Sequence, residues 1–144
     1  MDRMSRGLRV SVTIAATAVA LGLCGCAQQT LAGLRNHPNS VLAFEVPADC
    51  QTTYRRIVTQ ARERYRFLPG VRPQPGISAA LESSGQAAHL TLWDSGGLAL
   101  KYVLAADLRP LEPARTQVEI YCATRPARKE AELWQQWAAT PLED

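Results

Sequence analysis

The 144-residue chain carries 16 lysines and arginines against 13 aspartates and glutamates, a net charge of +3, and 47% of its residues are apolar. That length suits one domain or two small ones, and the apolar content is too high for an intrinsically disordered chain. After the first 25 residues the balance is 13 basic to 12 acidic side chains. A nucleic-acid-binding protein concentrates basic residues, so the composition argues against a nucleic-acid partner.

The first 25 residues predict an export signal. Three arginines, at positions 3, 6 and 9, precede residues 10–23, a run of 14 residues without charge. A membrane-spanning helix needs about 20 apolar residues, whereas about 7 to 15 are typical of the apolar core of a secretory signal. An uncleaved short anchor and a buried core helix are the alternatives, and the basic flank favours the signal.

The residues before Cys26 resemble the lipobox of bacterial lipoproteins, in which an aliphatic residue lies three positions before the acylated cysteine and a small residue lies immediately before it. Leu23 and Gly25 fill those positions, and Cys24 stands where Ala or Ser is usual. The resemblance implies that the Cys26 thiol receives a diacylglyceryl group, that the chain is cut before it and that the new amine is acylated. Two or more acyl chains anchor a protein stably to a membrane.

Ala27 follows the cysteine, where an Asp tends to retain lipoproteins in the inner membrane of enteric bacteria. The resemblance therefore implies a cell-envelope lipoprotein of the outer membrane, facing the periplasm. Ordinary secretion with cleavage after Ala27 is the alternative, because Gly25 and Ala27 also satisfy the small-x-small rule of secretory cleavage.

Residues 27–40 are polar and end in a turn-forming cluster, which predicts a flexible tether with a reach of about 20 Å. The predicted organisation is a signal peptide over residues 1–25, the lipidated cysteine and tether over 26–40, and one folded domain over 41–144.

The folded domain is predicted to begin with a strand over residues 41–46, where apolar and polar side chains alternate. Asp49 is placed to cap a helix whose apolar stripe runs from Cys50 to Tyr65. Further strands are predicted at residues 77–82, 88–93, 98–108 and 116–123, followed by a helix that starts near Pro126.

The predicted element order is β-α-β-β-β-β-α. Strands joined by short turns form an antiparallel sheet, so we expect an α+β fold of two layers, with four to five strands and both helices on one face. In the longest strand, Tyr102 and Leu104 are predicted to face the helices. Residues 109–115 contain two prolines and are predicted to form a loop.

This layout is similar to the helix-on-sheet domains of several envelope lipoproteins. Together with Pro47, Asp49, the pair Tyr121-Cys122 and Trp137, it resembles a family of small uncharacterised proteobacterial envelope lipoproteins. The resemblance implies an envelope location. The family has no known activity, so the resemblance implies none for this chain.

Cys50 and Cys122 are the two cysteines that follow the lipidation site. An even pair in an oxidising compartment favours a disulfide. Alternating strand directions argue against the bond, since they place the two residues at opposite ends of the sheet, beyond disulfide reach. Only a crossing of the sheet by residues 67–76 would bring them together, so the disulfide and two buried thiols both stay open.

The sequence offers little support for catalysis. His89 is the only histidine in the folded domain, and its strand alternation points it away from the predicted core and from both cysteines. No HExxH, GxSxG or GxxxxGK motif is present. Asp94 and Glu112 lie in or beside predicted turns, where solvated carboxylates are common and need no catalytic role. We therefore predict a non-enzymatic protein without a metal or cofactor.

A basic surface is predicted around the first helix, with Arg55, Arg56 and Arg62 as its principal members; a solvated helix face is the alternative. Arg64, Arg66 and Arg72 extend it. Trp93 is predicted on the outer sheet face, where an exposed aromatic marks a binding surface.

Two functions follow from these features. The first is an anchored module that binds an envelope protein or another envelope component. The second is a module that holds a lipid or small ligand between sheet and helices, in a cavity lined by residues such as Tyr54, Leu92 and Tyr102.

Overall fold

A computed structural model describes residues 30–66, 74–95 and 100–142 of the chain. The described part forms a five-stranded antiparallel sheet in the order β1-β5-β4-β3-β2, with three helices, so the predicted α+β class is confirmed. The elements are α1 Leu31–Asn36, β1 Ser40–Val46, α2 Cys50–Arg64, β2 Pro75–Leu81, β3 Ala88–Asp94, β4 Lys101–Glu112, β5 Arg115–Cys122 and α3 Ala127–Ala139. The export signal and the lipidation site at Cys26 lie outside these residues, as does Arg72.

Helices α2 and α3 cover one face of the sheet, where the main core lies. Side chains at every second strand position point into this layer, as the alternation in the sequence predicts. Trp134 of α3 is fully buried there, together with Ile57 of α2. The strands contribute Leu90, Leu92, Leu104, Ala106, Leu108, Val118 and Ile120.

Helix α2 begins at Cys50, directly after Asp49, the predicted cap. The Asp49 carboxylate accepts a hydrogen bond from the Thr52 backbone N–H at 2.8 Å and another from the Thr52 hydroxyl at 2.6 Å. These hydrogen bonds to the charged form hold the pKa of Asp49 below its ordinary value. The cap satisfies one of the backbone donors that the first helical turn leaves without a partner.

Residues 31–36 form a short helix, so the prediction of a flexible tether across this segment is wrong. The Thr30 hydroxyl caps α1 by accepting from the Gly33 N–H at 3.0 Å. Leu34 is fully buried against Ala105 of β4 and Ala123, just after β5. The helix therefore lies on the sheet face opposite α2 and α3, and the folded domain begins at least ten residues earlier than predicted.

Strand β4 differs from its prediction at both ends. It continues through Arg109 and Pro110 to Glu112, where a loop was expected, because β5 pairs with it as far as Glu112 and Arg115. At the other end the register with β3 shifts beside Val103: Leu92 pairs with Leu104, and Trp93 pairs with Tyr102. This bulge turns Tyr102 to the α1 face, so its predicted inward orientation is wrong.

No helix within the described residues is long and apolar enough to cross a membrane.

Candidate binding site

An open pocket of about 430 Å³ lies where α2 ends beside the start of β2 and the end of β3. Its volume falls within the range of about 300 to 1,000 Å³ that is common for small-molecule sites. Basic and aromatic residues line it, and none of the described residues that line it is acidic. The lining residues are Arg62, Tyr65, Arg66, Gln74, Pro75, Gly76, Ile77, Trp93 and Ser95.

Trp93 is held in place by the strand beside it. Its cross-strand partner is Gly76, and a side chain there would overlap the indole ring. Because glycine carries no Cβ, the ring can lie directly against the β2 backbone. The indole N–H also faces the Ser78 hydroxyl, with Nε1 and Oγ 3.4 Å apart. The indole therefore packs on the sheet face that carries Ser78 and Tyr102, opposite the face on which Ile77 packs into the core.

Arg62 and Arg66 supply the positive charge of the pocket. Arg62 lies in the last turn of α2, and Arg66 follows the helix end. The guanidinium group of Arg66 is 3.9 Å from the Glu63 carboxylate, but both side chains are 72% exposed, so this ion pair is weak. Helix C-terminal carbonyls stabilise cations, which accounts for arginines at this position.

Tyr65 connects the pocket to α3. Its hydroxyl donates to the Glu130 carboxylate at 2.5 Å and accepts from the indole N–H of Trp134 at 3.2 Å. Its ring meets that of Trp137 edge to face, with centroids 6.5 Å apart. Burial and the hydrogen bond to Glu130 raise the pKa of Tyr65 far above its ordinary value, so the hydroxyl stays protonated.

Arg64 completes the contact between the two helices. Its Nε and terminal nitrogen donate to both oxygens of Glu130, at 3.2 Å and 2.9 Å. Burial raises the pKa of Glu130, but the hydrogen bonds from Arg64 and Tyr65 outweigh it and bring the pKa below its ordinary value. Glu130 therefore remains an anion that binds α3 to the end of α2.

The arginines of the predicted basic surface make different contacts in the structure. Arg62 and Trp93, predicted from separate elements, both line the pocket. Arg55 is exposed on α2, two helical turns before Arg62, and is not a lining residue. Arg56 donates to the backbone carbonyl of Ala138 at 3.1 Å and so helps to hold α3.

A polar cluster lies on the opposite sheet face, under α1. Arg35 donates two hydrogen bonds to the Asp107 carboxylate, at 2.9 Å and 2.6 Å, and the Nδ1 atom of His89 is 2.8 Å from the same carboxylate. Burial raises the pKa of Asp107, but the contacts with Arg35 and His89 outweigh it and lower the pKa below its ordinary value. The cluster attaches α1 to β4 and β3.

Cys50 and Cys122 are free and buried, so the candidate disulfide between them is not formed. The Cys50 thiol lies 4.0 Å from the carbonyl oxygen of Leu108, whereas Cys122 pairs with Leu104. Four residues of β4 separate those positions, a span of about 13 Å, which exceeds the reach of a disulfide. Burial raises the pKa of both thiols.

Two expected combinations of residues do not come together. His89 faces α1 while both described cysteines lie in the core beneath the other helices, so these residues form no nucleophile and base pair. Tyr54 and Leu92 pack in that core, but Tyr102 lies on the α1 face, so the three do not line one cavity. Within the described ranges, no three His, Cys, Asp or Glu side chains are grouped to hold a metal ion.

Sequence reasoning missed Tyr65 and Gly76 as members of the site. Tyr65 was assigned only to the core stripe of α2, although its place at the helix end also exposes part of its ring. Gly76 belongs to the site because β2 pairs with β3 in a register that sets it against Trp93. A glycine opposite an aromatic residue in a predicted hairpin is a signal that would have found it.

No protein-family model matches the chain, and a search of curated proteins returns no significant similarity.

Proposed function

We propose that the protein is a non-enzymatic, membrane-anchored lipoprotein of the cell envelope whose domain binds a small envelope component in the pocket beside α2. The anchor is lipid on Cys26, expected from the lipobox-like residues before it, and the location is the periplasmic side of the outer membrane. The observation that carries the binding role is the pocket, whose described lining includes two arginines, a tyrosine and a tryptophan and no acidic residue.

The size of the pocket favours a small ligand over a protein partner. A stable protein interface buries about 800 Å² on each partner, which is far more surface than this pocket offers. Of the two functions expected from the sequence, the ligand-binding module therefore has the better support, with the pocket at the end of α2 in place of the predicted core cavity. Docking of an envelope protein remains the competing outcome of the experiments below.

The packing of α1 against the sheet limits how far the domain could lie from the membrane. Thr30 follows Cys26 by four positions in the sequence. A fully extended chain of four residues spans about 14 Å at most. Because α1 is fixed to the sheet by Leu34 and by the Arg35–Asp107 ion pair, the anchored domain would be held close to the membrane surface. A component of that surface is therefore a natural ligand.

The anchor is tested by feeding labelled palmitate to cells that produce the full chain. We expect label in the wild type and in a Cys24→Ser variant, and none in Cys26→Ser. Labelled Cys26→Ser protein would overturn the assignment of the acylated residue. Separation of inner and outer membranes then tests the location.

The binding role is tested by purifying the lipidated protein from membranes and measuring retained small molecules by native mass spectrometry. A ligand is expected on the wild type and on the control variant Arg55→Gln, whose side chain lies outside the pocket. Loss of that ligand from Trp93→Ala and Arg62→Gln would support the pocket. Equal retention by all four proteins would overturn it, and a retained protein would favour the competing function.

A further inference from the structure

We propose that the pocket ligand is a phosphate ester, whose oxyanion is held by Arg62 and Arg66 and whose organic portion packs on Pro75 and Ile77. This inference rests on the proposed binding function and specifies the chemical class of the ligand. It requires a site that combines positive charge with an apolar wall, and the pocket contains both.

The charge of the pocket favours an anion. Arg62 and Arg66 line it, and none of the described residues that line it carries a negative charge to neutralise them. Arg64, the arginine between them, is instead occupied by the Glu130 carboxylate. Arg62 forms no ion pair among the described residues, and Arg66 has only its weak, exposed pair with Glu63.

The number of arginines favours phosphate over carboxylate. One guanidinium group is enough to bind both oxygens of a carboxylate. A phosphate ester offers more oxygens and up to two negative charges, which two arginines can share. The carbonyls at the end of α2 carry partial negative charge and oppose any anion, so binding depends on both guanidinium groups.

The rest of the pocket favours a ligand with an organic portion. Pro75 and Ile77 of β2 form an apolar wall that inorganic phosphate alone would leave in water. Tyr65 adds an aromatic ring, which hydrogen bonds to Glu130 and Trp134 hold in place before any ligand arrives. A site that is formed in advance loses less free energy to ordering when a ligand binds.

The test uses the lipidated full chain in a neutral detergent, labelled with 5-fluorotryptophan. The chain has three tryptophans, and the Trp93 resonance is the one that disappears in Trp93→Phe. The probes are dihexanoyl phosphatidylglycerol, the matched zwitterion dihexanoyl phosphatidylcholine, glycerol 1-phosphate and inorganic phosphate. Both dihexanoyl lipids enter the detergent similarly, so a difference between them reports the charge of the headgroup.

We expect phosphatidylglycerol to shift the Trp93 resonance with saturation, and Arg62→Gln or Arg66→Gln to weaken that binding at least about tenfold. Arg55→Gln, on the same helix but outside the pocket, should bind as the wild type does. A response to phosphatidylglycerol alone assigns the ligand to a lipid headgroup, and an equal response to glycerol 1-phosphate assigns it to a soluble ester. Both results support the inference.

Three results would overturn it. Equal binding of the two dihexanoyl lipids, unchanged in both arginine variants, would mean an uncharged or zwitterionic ligand, and the proposed pocket would survive with a different ligand class. Equal binding of inorganic phosphate and the esters would mean that the apolar wall contributes nothing to binding. If no probe moves any of the three tryptophan resonances, the phosphate ester is rejected, and native mass spectrometry would then decide separately whether the pocket binds anything.

Discussion

The Arg35 guanidinium group donates two hydrogen bonds to the Asp107 carboxylate across 72 positions of sequence, and Asp107 is only 5% exposed. This ion pair connects α1, near the start of the described chain, with β4, a central strand of the sheet. Arg35 supplies hydrogen bonds to a carboxylate that α1 itself covers. The short helix and the buried charge therefore stabilise each other. Leu34 beside Arg35 adds the apolar part of the same contact.

Replacing Asp107 with Asn should lower the free energy of unfolding by about 2 kcal/mol at pH 7, because charge-assisted hydrogen bonds to a buried group are lost. The lowered pKa of Asp107 in the folded state means that its contribution is present above the pKa of the unfolded chain and is lost as pH falls through the folded value. The stability difference between wild type and Asp107→Asn should therefore shrink below about pH 4.

Urea unfolding at pH 7 and at lower pH measures this difference. Glu63→Gln is the control, because the Glu63 side chain is 72% exposed and its removal should change stability by less than about 0.5 kcal/mol. Hydrogen exchange of the Leu34 amide, which bonds to the Thr30 carbonyl at 3.0 Å, reports release of α1 directly. An Asp107→Asn variant with wild-type stability at pH 7 would contradict the role given to the ion pair.

Local patterns predicted the elements that carry their own signals. Asp49 precedes a long apolar stripe, and alternation identified the strands, so α2, α3 and the five strands were predicted from short stretches of sequence. Helix α1 was missed because six residues are too few to form a stable helix alone. Its stability comes from contacts with Ala105, Asp107 and Ala123, which no local pattern reveals.

The errors in β4 have a similar cause. Strict alternation predicts that Tyr102 and Leu104 share a face, but one extra residue at the bulge sends them to opposite faces. The same dependence on register limits prediction of the site. Trp93 and Arg62 were each predicted, whereas their meeting in one pocket required the pairing of β2 with β3 and the position of α2.

Cys50 and Cys122 should both react as free thiols when the protein is unfolded without reductant. Alkylation under those conditions, followed by mass spectrometry of the two peptides, measures each residue separately from Cys24 and Cys26. In the folded protein both should react slowly, since burial limits access and raises the pKa of each thiol. A disulfide-linked peptide containing both residues would contradict the strand arrangement described above.

Replacing Tyr65 with Phe should destabilise the protein by about 2 kcal/mol, because it removes the hydrogen bond to Glu130 and leaves the buried Trp134 N–H without its partner. Tyr54→Phe on the same helix is the matched control, since the described residues give the Tyr54 hydroxyl no hydrogen bond, and a change below about 0.5 kcal/mol is expected. Thermal unfolding of both variants measures the difference. Equal stability of the two would mean that the hydroxyl of Tyr65 does not hold α3.

Gly76→Ala should destabilise the protein by about 1 to 2 kcal/mol, because the added methyl group would overlap the ring of Trp93 and force it off the strand. The same substitution made in Trp93→Ala meets no ring, and alanine is otherwise favoured over glycine within a strand. In that background Gly76→Ala should therefore be neutral or slightly stabilising. Urea unfolding of the wild type, both single variants and the double variant gives the coupling between the two positions.

A coupling of about 1 kcal/mol or more would establish that Gly76 is required by the ring and not by the backbone of β2. Additive effects would place the indole elsewhere and contradict its packing on Gly76. Gly85, in the turn between β2 and β3, provides the contrast: its φ of 69° disfavours any side chain, but no atom lies near the added methyl group. Gly85→Ala should thus cost stability equally with and without Trp93, because its effect comes from backbone strain alone.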